Sequence, residues 1–128
     1  MVIITNKPGQ LANRLFIFST FLANAIEYGY SIVNPAFDEF AKFFPEINQD
    51  LFCRYPFKKT WIKSTLLRKL LYQTAYYFAR FLHRLPFHIP GCAVIYLDWD
   101  QSIDLNDPSF LTKAKKNPFC SGMVVQRY

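Results

Sequence analysis

The feature that most constrains this fold is the passage from a strand into a helix within the first thirty residues. Met1-Val2-Ile3-Ile4-Thr5 is short, apolar and β-branched, and it runs into Pro8-Gly9. Such a segment predicts a buried strand closed by a tight turn. Leu11, Leu15, Phe18, Leu22, Ala25 and Ile26 then recur at three- and four-residue steps, which predicts a helix from about Ala12 to Tyr28. Gly29 stands where a helix C-terminal glycine belongs, and Ser31-Ile32-Val33-Asn34-Pro35 predicts a second strand. Strand, helix and strand in this length make a right-handed βαβ unit, so the two strands should be parallel neighbours.

The same pattern continues. Residues 36–61 are mixed, with Phe37, Phe40, Phe43 and Phe44 in a short helix or packed loop broken at Pro45. Ile62 to Leu85 predicts a long helix stopped by Pro86, with an apolar stripe that includes Leu66, Leu67, Leu70, Leu71, Tyr77, Phe78, Phe81 and Leu82. Ala93–Leu97 and Gly122–Gln126 predict further strands. Residues 107–117 predict a short helix with Asp107 as N-cap and Pro108 at its first position. Strands alternating with helices imply an α/β fold with a parallel sheet. The length of 128 residues implies one domain. A chain whose last element is a strand is expected to be the N-terminal part of a longer protein.

Composition narrows the function classes. The chain has 14 Phe and 8 Tyr, more than a small core requires, which suggests a surface awaiting a partner. The net charge of +6 is concentrated in one segment. No acidic residue lies between Asp50 and Asp98, while Arg54, Lys58, Lys59, Lys63, Arg68, Lys69, Arg80 and Arg84 contribute +8; the remaining seven basic and nine acidic residues give −2. Segment 54–84 is therefore a solvated helix face, or a basic amphipathic face for an anionic membrane surface. It carries no nucleic-acid motif, and nucleic acid is not an expected partner. Cys53, Cys92 and Cys120 are odd in number and widely spaced, as buried thiols in a reducing compartment would be. The longest uncharged apolar run, Leu15 to Ile26, is too short to span a bilayer, and the start reads as a strand rather than a leader. A cytoplasmic protein is expected, either free or peripheral at the inner membrane surface.

The candidate site is the turn Gly9-Gln10-Leu11-Ala12-Asn13-Arg14. The first amides of a helix lack internal partners, and the helix dipole favours an anion there. Glycine permits close approach of a ligand to the backbone. Asn13 can donate and accept hydrogen bonds, and Arg14 offers a planar fork to phosphate. The alternative is an ordinary strand-to-helix connection with Asn13 as a cap. Asp98-Trp99-Asp100, after a strand, has the form of a divalent-metal site in a metal-dependent GT-A glycosyltransferase, or is a solvated acidic loop. His83 and His88 have no Cys or His partner at ligand spacing, so neither is a candidate metal ligand.

Gly9-x-Leu11-x-Asn13-Arg14-Leu15-Phe16, placed directly after the first strand, resembles the N-terminal motif of the fucosyltransferase superfamily. The resemblance covers mainly residues 1–40. Ala12 stands for the motif's second glycine and Arg14 for its commoner glutamine; no His-x-Arg segment of the superfamily's C-terminal domain is present. The resemblance implies a Rossmann-like N-terminal half of a two-domain GT-B enzyme. It implies GDP-fucose as donor, a glycan acceptor, and no bound metal or other cofactor. Gly9, Gln10, Asn13 and Arg14 would contact the donor's sugar-phosphate end. A chain without the C-terminal domain is expected to be inactive alone, and no residue stands out as a general base. A non-enzymatic basic module that binds a membrane or a protein partner is the alternative.

Overall fold

The computed structural model describes residues 1–84, 94–96, 104–116 and 123–125. Its elements are β1 (Val2–Ile4), α1 (Leu11–Tyr28), β2 (Ile32–Val33), β3 (Arg54–Tyr55), α2 (Thr65–Arg84), β4 (Val94–Tyr96), α3 (Pro108–Lys116) and β5 (Met123–Val125). Short 3-10 turns at Pro35–Phe37, Ala41–Phe43 and Ile47–Gln49 fill the stretch between β2 and β3.

The strands form one sheet in the order β3-β2-β1-β5-β4. β1 is central and pairs in parallel with β2 and with β5, and β4 is parallel to β5. The expected βαβ unit is present, with Val2 opposite Ile32 and Ile3 opposite Val33. The sheet is mixed rather than wholly parallel, because β3 adds an antiparallel edge. That edge is made by a side chain. Asp50, fully buried, accepts from the amides of Phe52 and Arg54 at 3.0 and 3.1 Å and grips the Arg54 guanidinium at 2.9 Å. This bends the chain back along β2.

The crossovers β1→β2 and β4→β5 step the same way across the sheet, whereas β2→β4 steps the other way. Right-handed crossovers then put α1 and α3 on one face and α2 on the other. The contacts agree: Phe110 of α3 packs against Phe21 of α1 at 6.4 Å and edge-on to Tyr30 at 6.1 Å. Val2, Ile4, Phe18, Phe21, Ala25, Ile32 and Phe37 build the core. Gly29 closes α1 at φ 73°, a left-handed conformation that disfavours residues with a Cβ. Asp107 caps α3 as expected, accepting from the Ser109 amide at 2.9 Å.

Helix α2 forms where the sequence places it, but with a different inward face. Arg68 and Ala79 are buried, with Tyr72, Ala75 and Tyr76 partly so. Leu66, Leu70, Tyr77 and Phe81, expected in the core stripe, are 73, 56, 64 and 59 % exposed. The buried Arg68 guanidinium donates to Asn48 Oδ1 at 2.8 Å and to the Asn48 carbonyl at 2.6 Å. Of the eight basic residues of segment 54–84, Arg54 and Arg68 are therefore internal ties, and the other six are exposed. Among the described residues no helix is long and apolar enough to cross a membrane.

Candidate anion-binding turn at the start of helix α1

The turn between β1 and α1 lies beyond the C-terminal end of the central strand, where open α/β sheets bind ligands. Gly9, Gln10, Ala12 and Asn13 are exposed. Gln10 is the N-cap residue, and its side chain makes no cap hydrogen bond. The Arg14 amide bonds back to the Gln10 carbonyl, so the amides of Leu11, Ala12 and Asn13 precede the first bond of the helical ladder. No acidic residue occupies the first turn. A helix start that is uncapped, exposed and free of negative charge can accept an anion. A Cβ at Gly9 would meet nothing within 4 Å, so the space above its backbone is open.

Arg14 behaves differently from the expected phosphate fork. It is 7 % exposed. Its Nε donates to the Pro8 carbonyl at 2.8 Å, and Nη1 donates to the Ala36 carbonyl at 3.3 Å and to Glu39 Oε2 at 3.2 Å. The guanidinium also lies over the Phe40 ring at 4.7 Å. Arg14 thus ties the turn to the loop after β2 and holds the turn in place. Of the four expected contact residues, Gly9, Gln10 and Asn13 face solvent, while Arg14 faces inward.

Several residues near this end of the sheet were not singled out from the sequence. Lys7 ion-pairs with Asp38 at 2.8 Å and Glu39 at 3.0 Å, and it sits over the Tyr72 ring of α2 at 4.3 Å. Lys7, Arg14, Asp38 and Glu39 therefore form a neutral cluster of two cations and two carboxylates. The hydrogen bond from Lys7, with its charge and that of Arg14, holds the Glu39 carboxyl below the ordinary range. Such a carboxylate is a weak proton acceptor and suits a structural tie better than a general base.

Two asparagines follow the parallel strands. Asn6 follows β1 and is 4 % exposed; Asn34 follows β2 and is 2 % exposed. Among the described residues neither the Asn6 Oδ1 nor its Nδ2 has a hydrogen-bond partner, and the Asn34 Oδ1 also lacks one. Buried polar atoms are nearly always paired, which makes these side chains candidate ligand contacts. The signal available in the sequence was a polar residue directly after each β-branched run: Thr5-Asn6 and Val33-Asn34.

Other expected features lie elsewhere. Asp98, Asp100, His88, Cys92 and Cys120 lie outside the described residues. Asp107 is committed to its cap, and Asp104 Oδ1 accepts from the Asn106 amide at 2.9 Å. Among the described residues no group of three His, Cys, Asp or Glu gathers at metal-binding geometry. An open cleft of about 380 Å³ lies at the opposite end of the sheet, lined by Met1, Gly29, Tyr30, Ser31, Tyr55 and Lys115. It lies at the other end of the sheet from the turn, and among the described residues its lining carries no carboxylate, histidine or thiol. No family model, curated protein or solved structure matches the chain.

Proposed function

We propose that this chain is the Rossmann-like N-terminal half of a GT-B glycosyltransferase of the fucosyltransferase type, and that it holds the sugar-phosphate end of a GDP-fucose donor at the turn Gly9–Asn13. The observation that carries the reading is the uncapped, exposed start of α1 beyond the C-terminal end of β1. The open space over Gly9 and the unpaired Asn6 side chain beside the turn in sequence add support.

In this reading the turn amides meet the diphosphate as charge builds on the departing GDP. Fixed donors aimed at developing charge lower the barrier without moving at the moment of reaction. Asn13 supplies a side-chain donor from the same turn. Arg14, the Lys7 cluster and Phe40 keep the turn in its binding geometry. The acceptor is a glycan, and the remaining donor contacts and the proton acceptor come from a C-terminal domain. No metal or cofactor is called for.

Gly9→Ala gives a clean test. The added methyl meets no protein atom, and Gly9 is not among the positive-φ residues, so the fold tolerates it. Stability should hold or rise by about 0.4–1 kcal/mol. A methyl on the turn obstructs a phosphate that approaches the backbone. The assay is thermal unfolding with GDP, GDP-fucose, and UDP with Mn²⁺. A ligand that binds only the folded state raises the midpoint. A metal-independent rise with the GDP ligands, lost in Gly9→Ala and Asn13→Ala, is expected. A rise that both variants retain refutes a role for this turn, and a rise confined to UDP with Mn²⁺ shifts the assignment to Asp98 and Asp100.

A further inference from the structure

We propose that the outward face of α2 docks on an anionic lipid bilayer. The proposal stands apart from the donor site and rests on how α2 is turned. Its inward side is occupied by Arg68, Tyr72 and Ala79. Its outward side carries Leu66, Leu70, Tyr77 and Phe81, each more than half exposed. At 3.6 residues per turn these four fall within an arc of about 60° and extend about 22 Å along the helix. Trp61, just before the helix, is fully exposed.

The charges on that side have one sign. Lys69, Arg80 and Arg84 are exposed and fall within an adjoining arc of about 60°. They make no ion pair among the described residues. No acidic residue occurs between Asp50 and Asp98 to offset them. An apolar ridge flanked by unpaired cations is the design of a helix that lies in the headgroup region. Aromatic residues such as Trp61 and Tyr77 favour that depth, and α2 is not apolar enough to cross the membrane.

Charge selects this occupant over a second copy of the chain. A two-fold pairing of the face would bring together two surfaces whose charges are all positive, with no acidic residue of α2 in either protomer to offset them. An anionic bilayer instead complements them, at about fivefold in affinity for each basic residue near the surface.

The experiment is co-sedimentation of the full chain with phosphatidylcholine vesicles, with and without phosphatidylglycerol, at low and high salt. Binding is expected only with phosphatidylglycerol, weakened by salt and accompanied by a blue shift of tryptophan emission. The triple variant Lys69→Glu, Arg80→Glu, Arg84→Glu should bind at least about a hundredfold more weakly. The double variant Leu70→Gln, Phe81→Gln should also lose binding, although its charge is unchanged. All these positions are exposed, so both variants should keep the wild-type circular dichroism melt; the wild-type lipid and salt dependence tests the proposal independently of them. Equal binding to neutral vesicles, no binding to either, or a solution dimer dissolved by Leu70→Gln overturns the proposal.

Discussion

Arg14 offers the sharpest separation between holding the turn and holding a ligand. Consider Arg14→Met, which keeps an unbranched apolar stem and removes the guanidinium. Two carbonyls lose their donor. Pro8 is buried and its bond is 2.8 Å; Ala36 is 2 % exposed and its bond is longer, 3.3 Å. Orphaning a buried polar group costs about 1–3 kcal/mol, with the longer bond at the lower end. The Glu39 pair adds little, because Glu39 is 49 % exposed and keeps Lys7 at 3.0 Å. Losing the contact over Phe40 adds roughly 0.5–1 kcal/mol. The expected loss is about 3 kcal/mol, a large share of the roughly 5–15 kcal/mol that holds a domain folded. In urea, with a slope of about 2 kcal/mol per molar, the unfolding midpoint should fall by about 1.5 M. Circular dichroism is the suitable probe, since exposed Trp61 reports poorly on the core. Arg14→Lys should lie between wild type and Arg14→Met, because one ammonium cannot span the same acceptors. A midpoint within about 0.25 M of wild type, or about 0.5 kcal/mol, would refute the structural role, most clearly if GDP binding vanished at the same time.

Three further outcomes follow from single contacts. Tyr30→Phe removes the hydroxyl that donates to Asn24 Oδ1 at 2.8 Å and leaves a buried acceptor, so urea unfolding should show a loss of about 1–3 kcal/mol. Cys53 is 2 % exposed and burial raises its thiol pKa to about 12, so at pH 8 peptide mapping should find iodoacetamide on it only after unfolding. The Glu39 carboxyl lies below its ordinary 4.5 when folded, so its contribution is present above that pH and lost as pH falls through the folded value. The wild-type and Glu39→Gln curves of urea midpoint against pH should therefore be separated near neutrality and draw together in acid. Curves that stay parallel would show that Glu39 is not held by its partners.

The parts of the fold legible in the sequence are those set by local chemistry. Val2–Ile4, the helical spacing of Phe18 and Ala25, and Gly29 specify β1, α1 and the reversal into β2 without long-range help. Asp107-Pro108 marks the start of α3 for the same reason. What was not legible depends on partners distant in sequence or on a balance between two similar faces. β3 is two residues long and is bent into place by Asp50, so no alternating pattern announces it. Helix α2 has apolar residues on both sides; hydrophobicity alone favours Leu66, Leu70 and Phe81, whereas Arg68 turns inward because Asn48 supplies acceptors. The position of the Gly9–Asn13 turn was legible, but the direction of Arg14 was not, because the groups that receive it lie at Pro8, Ala36 and Glu39.

In the proposed function the first amides of α1 receive a diphosphate. The most direct measurement is a titration of ¹⁵N-labelled protein with GDP, following the amide resonances of Leu11, Ala12 and Asn13, with guanosine as the control. These three amides should shift and saturate with GDP and stay in place with guanosine. Resonances at the turn that do not move, while shifts gather around Gly29, Tyr30 and Ser31 at the other end of the sheet, would contradict it.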